Sequence, residues 1–358
     1  MNNKIKDKVV TILFSSILII FFLINAIKKD DDISISERRK LEKFPTLTIN
    51  NLMDGTFFKK FETYTTDQFI KRDYFRKLKV NLELNIKKNY NNLYNYNGYI
   101  VEQTFPLNKN SIINLANKMN SIKETYLTNN NIYFTIVPDK NYFINNGNLK
   151  LDYNELTNLM KNNLKDFNYI DIFSILNLDD YYKTDTHWKQ ENIKKVALLL
   201  SKNMNFDFYD NYNELEITSF KGVYSGQLPI KTELDKITIL TNDIIKNSTV
   251  YNYETKKETE VYDLTKVNSL DKYDIYLSGA VSIIDIINNN SSNKELIVFR
   301  DSYGSSLVPL LIQGYKKITV IDTRYVSPKV LNEYVDFNNK DVLFIYGVIS
   351  VNNSSSIR

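Results

Sequence analysis

The sequence predicts an α/β protein built on a parallel sheet, with a membrane-spanning helix ahead of it. Three observations carry that reading. Short apolar, β-branched runs alternate with helical stretches beyond residue 295; an almost unbroken apolar run extends from Val9 to Ile27; and a stretch rich in Thr, Tyr and Val, from about Asn205 to Tyr276, is broken by polar turns. The expected fold class is a three-layer α/β/α sandwich with an N-terminal transmembrane helix and a β-rich insertion.

Composition narrows the function before any motif is read. With 358 residues and 43% hydrophobic content the chain has ample material for a core. Lys+Arg of 46 against Asp+Glu of 42 leaves a formal charge of +4 with the signs interspersed, which argues against nucleic acid as a partner. The absence of cysteine removes disulfides, zinc–thiolate sites and thiol nucleophiles together, and a single histidine removes His-rich metal sites. No metal and no cofactor is expected. The 26 Tyr and 20 Phe, with abundant Asn, Ile and Lys, follow an AT-rich coding bias, so a given Tyr or Asn carries little weight.

The elements follow in chain order. The Val9–Ile27 run matches the roughly 30 Å that a bilayer core demands. Lys4, Lys6 and Lys8 precede it and Lys28 and Lys29 follow, so loop charge favours an inside N-terminus only weakly. A cleaved signal peptide is the competing reading; the run is long for one, and no small-x-small site follows. The expected location is the cell membrane, single pass through residues 9–27, with the bulk of the chain extracellular. Ile33 to Asn51, charged and containing Pro45, reads as a connector. Asp54 to Asn89 reads as two helices, with Phe57, Phe61 and Tyr64 and then Phe75, Leu78, Leu82 and Ile86 at helical spacing. Such stripes are expected to pack on the main domain, with a partner-binding groove as the alternative. Residues 1–29 are thus expected as the anchor, 30–92 as connector and helices, and 93–358 as the α/β domain.

Within that domain Ile132–Val137 reads as a strand, Glu155–Lys165 as a helix, Tyr169–Ile172 as a strand and Gln190–Lys202 as an amphipathic helix. In the insertion, Thr249–Tyr253 and Glu260–Leu264 flank Glu254–Glu258 as a hairpin, which either shapes a polymer-binding cleft or is simply structural. Strand Glu295–Phe299, helix Ser305–Gln313, strand Lys317–Ile321, helix Ser327–Tyr334 and strand Asp341–Tyr346 form successive βαβ units, which imply right-handed crossovers and a parallel sheet. Asn352 to Arg358 reads as a frayed polar tail.

Thr184-Asp185-Thr186-His187-Trp188 holds the only histidine and the only tryptophan of the chain. Any imidazole proton transfer must run through His187. Asp185, two residues upstream, can hold one ring nitrogen across a short turn. The plain structural alternative is a helix N-cap with Trp188 packed in the core. A nucleophile would have to be a hydroxyl, and Ser302 is the best placed, at the turn between strand Leu296–Phe299 and a helix starting near Gly304. Asp301 and Ser302 also suit an ordinary cap. The backbone N–H groups of Tyr303 and Gly304 are candidate oxyanion donors, Trp188 a wall of the site or a core plug, and Arg300 a surface or ion-pairing residue. No G-x-S-x-G elbow, Walker A loop or H-E-x-x-H occurs.

Asp185-Thr186-His187-Trp188 resembles the Asp-His-His-Trp signature of the DHHW family of bacterial surface proteins, with Thr186 in place of the first His. That family is similar to the alginate O-acetyltransferases and, more distantly, to the SGNH hydrolases. Ser36–Pro45 resembles the family's opening motif and Phe61–Asp73 its first helix, while Val137–Lys140, Phe220–Ser225 and Asp301–Gly304 resemble later blocks. The resemblance implies an SGNH-hydrolase-like α/β domain with Asp185, His187 and Ser302 as a triad. It also implies an acetyl donor delivered by a membrane-bound acyltransferase and a polysaccharide acceptor. One block departs: Leu277-Ser278-Gly279-Ala280 stands where such proteins read Leu-Gly-Gly-Asn, and Ala280 cannot donate to an oxyanion as Asn can. The expected function is extracellular O-acetyl transfer, or acetyl-ester hydrolysis if water takes the acyl group. The alternative is a weakly active or inactive surface protein that binds glycan or assembles a polysaccharide-modification complex.

Overall fold

The computed structural model describes residues 3–288 and 292–358. The chain forms two compact units, one of residues up to Tyr90 together with Gly226–Lys231, the other of Asn91–Ser225 with Thr232–Arg358. Gly226–Lys231, expected within the insertion, therefore belongs with the N-terminal unit.

In that unit α1 (Asn3–Ile27) is long and apolar enough to cross a membrane. After the short strands Ile33–Ser34 and Arg39–Lys40 come α2 (Thr56–Asp67) and α3 (Arg72–Lys87), joined by a tight elbow. Charges lock that elbow to the preceding segment. Arg39 grips the Asp67 carboxylate with both Nη atoms, at 2.8 and 2.5 Å. Glu37 pairs with Arg72 at 2.6 Å and with Arg76 at 3.2 Å. The Arg76 guanidinium also donates to the Gly226 carbonyl at 2.7 Å. Bidentate, half-buried pairs of this kind hold orientation better than isolated surface pairs do. The expectation that both apolar stripes face a core is corrected: Phe61, Phe75, Leu78, Leu82 and Ile86 are exposed.

The second unit is organised on an eight-stranded sheet: β1 (Asn131–Val137), β2 (Asn168–Tyr169), β3 (Thr249–Asn252), β4 (Lys257–Thr259), β5 (Ile283–Ile287), β6 (Glu295–Arg300), β7 (Lys317–Ile321) and β8 (Asp341–Gly347). Their order across the sheet is β4-β3-β5-β7-β6-β8-β1-β2. β2, β1, β8, β6 and β7 run parallel, and β5, β3 and β4 extend the sheet as an antiparallel edge. Helices α4 (Lys109–Tyr126) and α5 (Tyr153–Asn163) cover one face, α6 (Lys194–Met204) and α7 (Tyr303–Leu311) the other. Along β6, Leu296 and Val298 pack with Leu200 and Leu307 on one side. Ile297 and Phe299 pack with Leu115 and Leu156 on the other. Both faces are buried, which is why these strands read as continuous apolar runs rather than alternating ones.

Four boundaries move. The hairpin turns earlier than its sequence pattern implies, pairing Thr249–Asn252 with Lys257–Thr259, and it joins the main sheet through β3 and β5 instead of standing beside it. Tyr169–Ile172 contributes only Asn168–Tyr169 as strand. The stretch Ser327–Tyr334 is a 3-10 turn, Pro328–Glu333, started by its proline. The tail is not frayed: the Ser354 N–H donates to Ser111 Oγ at 2.7 Å, and Ile357 is buried.

Candidate active site

Asp185 and His187 sit in a loop closed at its base by an antiparallel bridge between Tyr181 and Trp188. The loop is held from two sides. The Asp235 carboxylate accepts from the N–H groups of Lys183 and Thr184, each at 2.7 Å, and from Thr184 Oγ1. Beyond the C-terminal end of β1, the buried Lys140 ammonium donates to the carbonyls of Tyr182 and Lys183 at 3.1 and 3.3 Å. Burial drives the Lys140 pKa down to about 7, against the opposing pull of Asp185, Asp235, Asp139 and Glu102. Next to it, burial raises Asp139 to about 6, although Tyr153, Thr104 and the Tyr142 N–H all donate to its carboxylate.

A third support comes from Gly222 to Tyr224. The Gly222 N–H donates to Thr184 Oγ1 at 2.7 Å, the Val223 N–H to Asp185 Oδ2 at 2.9 Å and the Tyr224 N–H to the Thr184 carbonyl at 3.1 Å. The approach leaves no room for a side chain, because a Cβ on Gly222 would lie 2.3 Å from that of Asp185.

Ser302 is separated from the end of β6 by Asp301 alone and takes the N-cap position of α7, where it is half-buried. Asp301 fixes this turn. Its carboxylate accepts from the N–H groups of Tyr303 and Gly347 and from Ser350 Oγ, at 3.1, 2.8 and 2.7 Å. Strand end and helix start thereby present Ser302 beyond the carboxyl edge of the sheet, where open α/β folds gather reactive groups.

The structure brings Asp185, His187 and Ser302 into one line. His187 Nδ1 lies 2.6 Å from Asp185 Oδ1, and His187 Nε2 lies 2.7 Å from Ser302 Oγ. The Asp185 carboxylate also accepts the His187 N–H at 3.1 Å. Burial alone would raise the Asp185 pKa; the His187 ring beside it, with the Val223 and His187 N–H groups, outweighs burial and holds the carboxyl well below the usual carboxylate range. With a proton on Nδ1 facing that carboxylate, Nε2 is left to accept from the serine hydroxyl. The arrangement can draw a proton from Ser302 and return it, which is the chemical requirement for a hydroxyl nucleophile.

The other predicted positions turn out differently. Trp188 is fully buried and donates its indole N–H to the Tyr303 carbonyl at 3.2 Å and to Ser306 Oγ at 2.9 Å. It is a core plug under α7 and lines no open surface. The Tyr303 N–H is engaged by Asp301 Oδ1 and the Gly304 N–H by the Asp301 carbonyl, so neither is the free oxyanion donor expected. Gly304 instead makes space for Arg300, whose Cβ would stand 2.7 Å from a Cβ at 304. The N–H of Ser302 has no protein partner among the described residues and is the donor left over. Arg300 is buried, paired with Asp322 at 3.6 Å and donating to the Gly279 carbonyl at 2.9 Å. Ala280 is exposed, and Leu277, Ser278 and Gly279 before it all hold positive φ, at 55°, 59° and 76°. Ser278 thus occupies a left-handed position that glycine takes without strain.

Sequence reasoning missed Tyr273. Its ring stacks on the His187 imidazole, and its hydroxyl lies 2.7 Å from Ser306 Oγ. Nothing distinguishes it in sequence from the other tyrosines. Lys140 and Gly222, by contrast, lie inside blocks that already stood out by resemblance.

Solved structures share this fold at low identity. The chain is similar to a DHHW family protein from Eubacterium siraeum, with a TM-score of 0.61 and 19% identity over 75% of this chain and 94% of that one. It is similar to Bacillus cereus PatB1, determined with a sulfonyl adduct, with a TM-score of 0.58 and 18% identity over 72% of this chain and 95% of that one. Against the O-acetyltransferase domain of Pseudomonas putida AlgJ the TM-score is 0.43 with 11% identity, over 72% and 90% of the two chains. No protein-family model and no curated protein matches the chain. The resemblance to the DHHW family read from the sequence therefore has its counterpart in the fold.

Proposed function

We propose that this DHHW-like chain is a membrane-anchored O-acetyltransferase that works outside the cell on a surface or secreted polysaccharide, with Ser302 as nucleophile, His187 as base and acid, and Asp185 as its orienting carboxylate. The observation that carries the reading is the unbroken proton path, 2.7 Å from Ser302 Oγ to His187 Nε2 and 2.6 Å from His187 Nδ1 to Asp185. Its acetyl chemistry leans on the sequence resemblance to the alginate O-acetyltransferases, and its membrane location on the length and hydropathy of α1.

The chemistry is two displacements. His187 Nε2 takes the Ser302 proton as Oγ bonds to the acetyl carbonyl carbon, and the Ser302 N–H faces the oxyanion. The tetrahedral adduct collapses, the donor's oxygen leaves with the proton from Nε2, and Ser302 holds the acetyl group. A sugar hydroxyl then gives its proton to Nε2 and attacks the acyl carbon. Collapse frees Oγ, which recovers the proton. Water in place of the sugar makes the same residues an esterase, and exclusion of water decides between the two. The donor is handed over by a membrane-bound acyltransferase partner.

One observation favours a second reading, that of a glycan-binding or assembly protein. The usual side-chain donor is absent at Ala280 and the Tyr303 and Gly304 N–H groups are occupied, which leaves the oxyanion poorly served. Acetyl release from a generic acetyl ester, measured on the full chain in detergent beside Ser302→Ala and His187→Ala, separates the two. Turnover that both substitutions abolish supports the enzyme; equal background in all three sinks it.

A further inference from the structure

Within their own unit, and among the described residues, helices α2 and α3 carry exposed apolar side chains. Along α3, Phe75, Leu78, Leu82 and Ile86 recur on one side and are 39, 46, 56 and 80% exposed, while Val80 on the other side is buried. On α2, Phe57, Phe61 and Tyr64 gather round Phe44, with ring centroids 6.5, 5.8 and 5.3 Å away, and Phe44, Phe58 and Phe61 of this cluster stay exposed. Open apolar faces of this extent mark contact with something other than water.

The position of these helices against α1 says what that is. The Phe21 ring of α1 stacks on Phe69 at the elbow, centroids 5.6 Å apart and planes 11° apart, and meets Phe75 edge-on at 6.2 Å. Asn25 Oδ1 accepts the Ile70 N–H at 2.7 Å, and the Tyr64 hydroxyl donates to Asp30 at 3.1 Å. Gln68 both donates to and accepts from the Asp31 backbone, each at 2.9 Å. The elbow is thus clamped to the end of α1.

Length then sets its depth. At 1.5 Å per residue, Val9 to Ile27 supplies about 28 Å of apolar helix, barely the roughly 30 Å of a hydrocarbon core. A span that stopped at Phe21 would supply only about 19 Å. For α1 to cross, Phe21 must lie inside the apolar layer, about 9 Å short of Ile27 along the axis. Phe69 and Phe75, in contact with its ring, lie there too.

We propose that α2 and α3 rest in the headgroup–acyl boundary of the bilayer that α1 spans, with lipid covering their apolar faces. The residue types suit that layer: aromatic rings at the boundary, and the exposed Lys59, Lys60 and Lys79 for anionic headgroups. The inference rests on α1 as a membrane anchor, which is part of the reading above.

The absence of cysteine makes the test clean. Full-length protein carrying one of Phe58→Cys, Leu82→Cys, Ile17→Cys or Glu124→Cys is labelled with a fluorophore and reconstituted into phosphatidylcholine–phosphatidylglycerol vesicles containing nitroxide lipids. A label about 5–10 Å into the boundary is expected to lose roughly half its emission at positions 58 and 82, as at 17, with none lost at 124. If 58 and 82 behave like 124 while 17 is quenched, the anchor stands and the interfacial helices are overturned. If 17 is not quenched, anchor and inference fall together.

Discussion

The Tyr273 ring lies parallel to the imidazole of His187, with centroids 3.8 Å and planes 7° apart. The contact fixes the ring plane in which Nδ1 meets Asp185 and Nε2 meets Ser302, and it keeps water off one imidazole face. Tyr273→Leu removes an aromatic contact worth about 0.5–1.5 kcal/mol, which corresponds to a loss of up to about tenfold in kcat. Tyr273→Phe keeps the stack and gives up only the hydroxyl contact with Ser306. Its kcat should stay within about twofold of the parent; equal losses in both variants would assign the effect to the hydroxyl instead.

An activated serine captures a sulfonyl electrophile. Incubation with phenylmethylsulfonyl fluoride should add one sulfonyl group, located at Ser302 by peptide mass spectrometry. Ser302→Ala should take up none and His187→Ala far less in the same time. Asp185→Asn should keep the fold and cut acetyl release by about 10⁴-fold, the cost of presenting the wrong imidazole tautomer.

Gly222→Ala probes the close approach to Asp185. A methyl group would enter where only 2.3 Å separates it from the Asp185 Cβ, so the loop or the carboxylate must move. A loss of about 1–3 kcal/mol is expected, visible as a lower thermal midpoint, with activity falling further than stability alone accounts for. An unchanged midpoint would mean that the Gly222 loop gives way at no cost.

Lys140 makes stability depend on pH in a defined window. Its ordinary value is 10.5 and its folded value about 7, so between those limits the unfolded chain holds a proton that the folded chain lacks. Stability is then full above 10.5 and declines as pH falls toward 7, by a few kcal/mol at about 1.4 kcal/mol per pH unit. Lys140→Met should flatten the thermal midpoint between pH 7 and 10. A midpoint that still climbs in the variant would assign the slope to another group.

What was legible in the sequence follows from what each residue needs nearby. β6, β7 and β8 are buried on both faces, so their apolar, β-branched runs stand out without any knowledge of partners. β5 does not, because Asp285 interrupts it. That carboxylate is satisfied only across the sheet, by Thr319 Oγ1 at 2.6 Å, the Tyr253 hydroxyl at 2.7 Å and Lys317 at 2.8 Å. The polar tail misleads for the same reason, its anchor at Ser111 being 243 residues away. At the site, His187 and Trp188 announce themselves by being single, whereas Tyr273 acts through a stacking geometry that composition cannot reveal. The helical period of α3 was legible as well, but periodicity identifies an apolar face without naming the medium that face meets.

The order of the sheet has a consequence for how the chain is born. β8 is the latest in sequence of the eight strands, yet it lies between β6 and β1 and is the backbone link between them. As the polypeptide emerges residue by residue, the piece that carries His187 and the piece that carries Ser302 have no common sheet until Asp341–Gly347 slots in. Such late, non-local closure is slow. It also means that the strands on either side of Asp341–Gly347 share one sheet only once synthesis has passed residue 347.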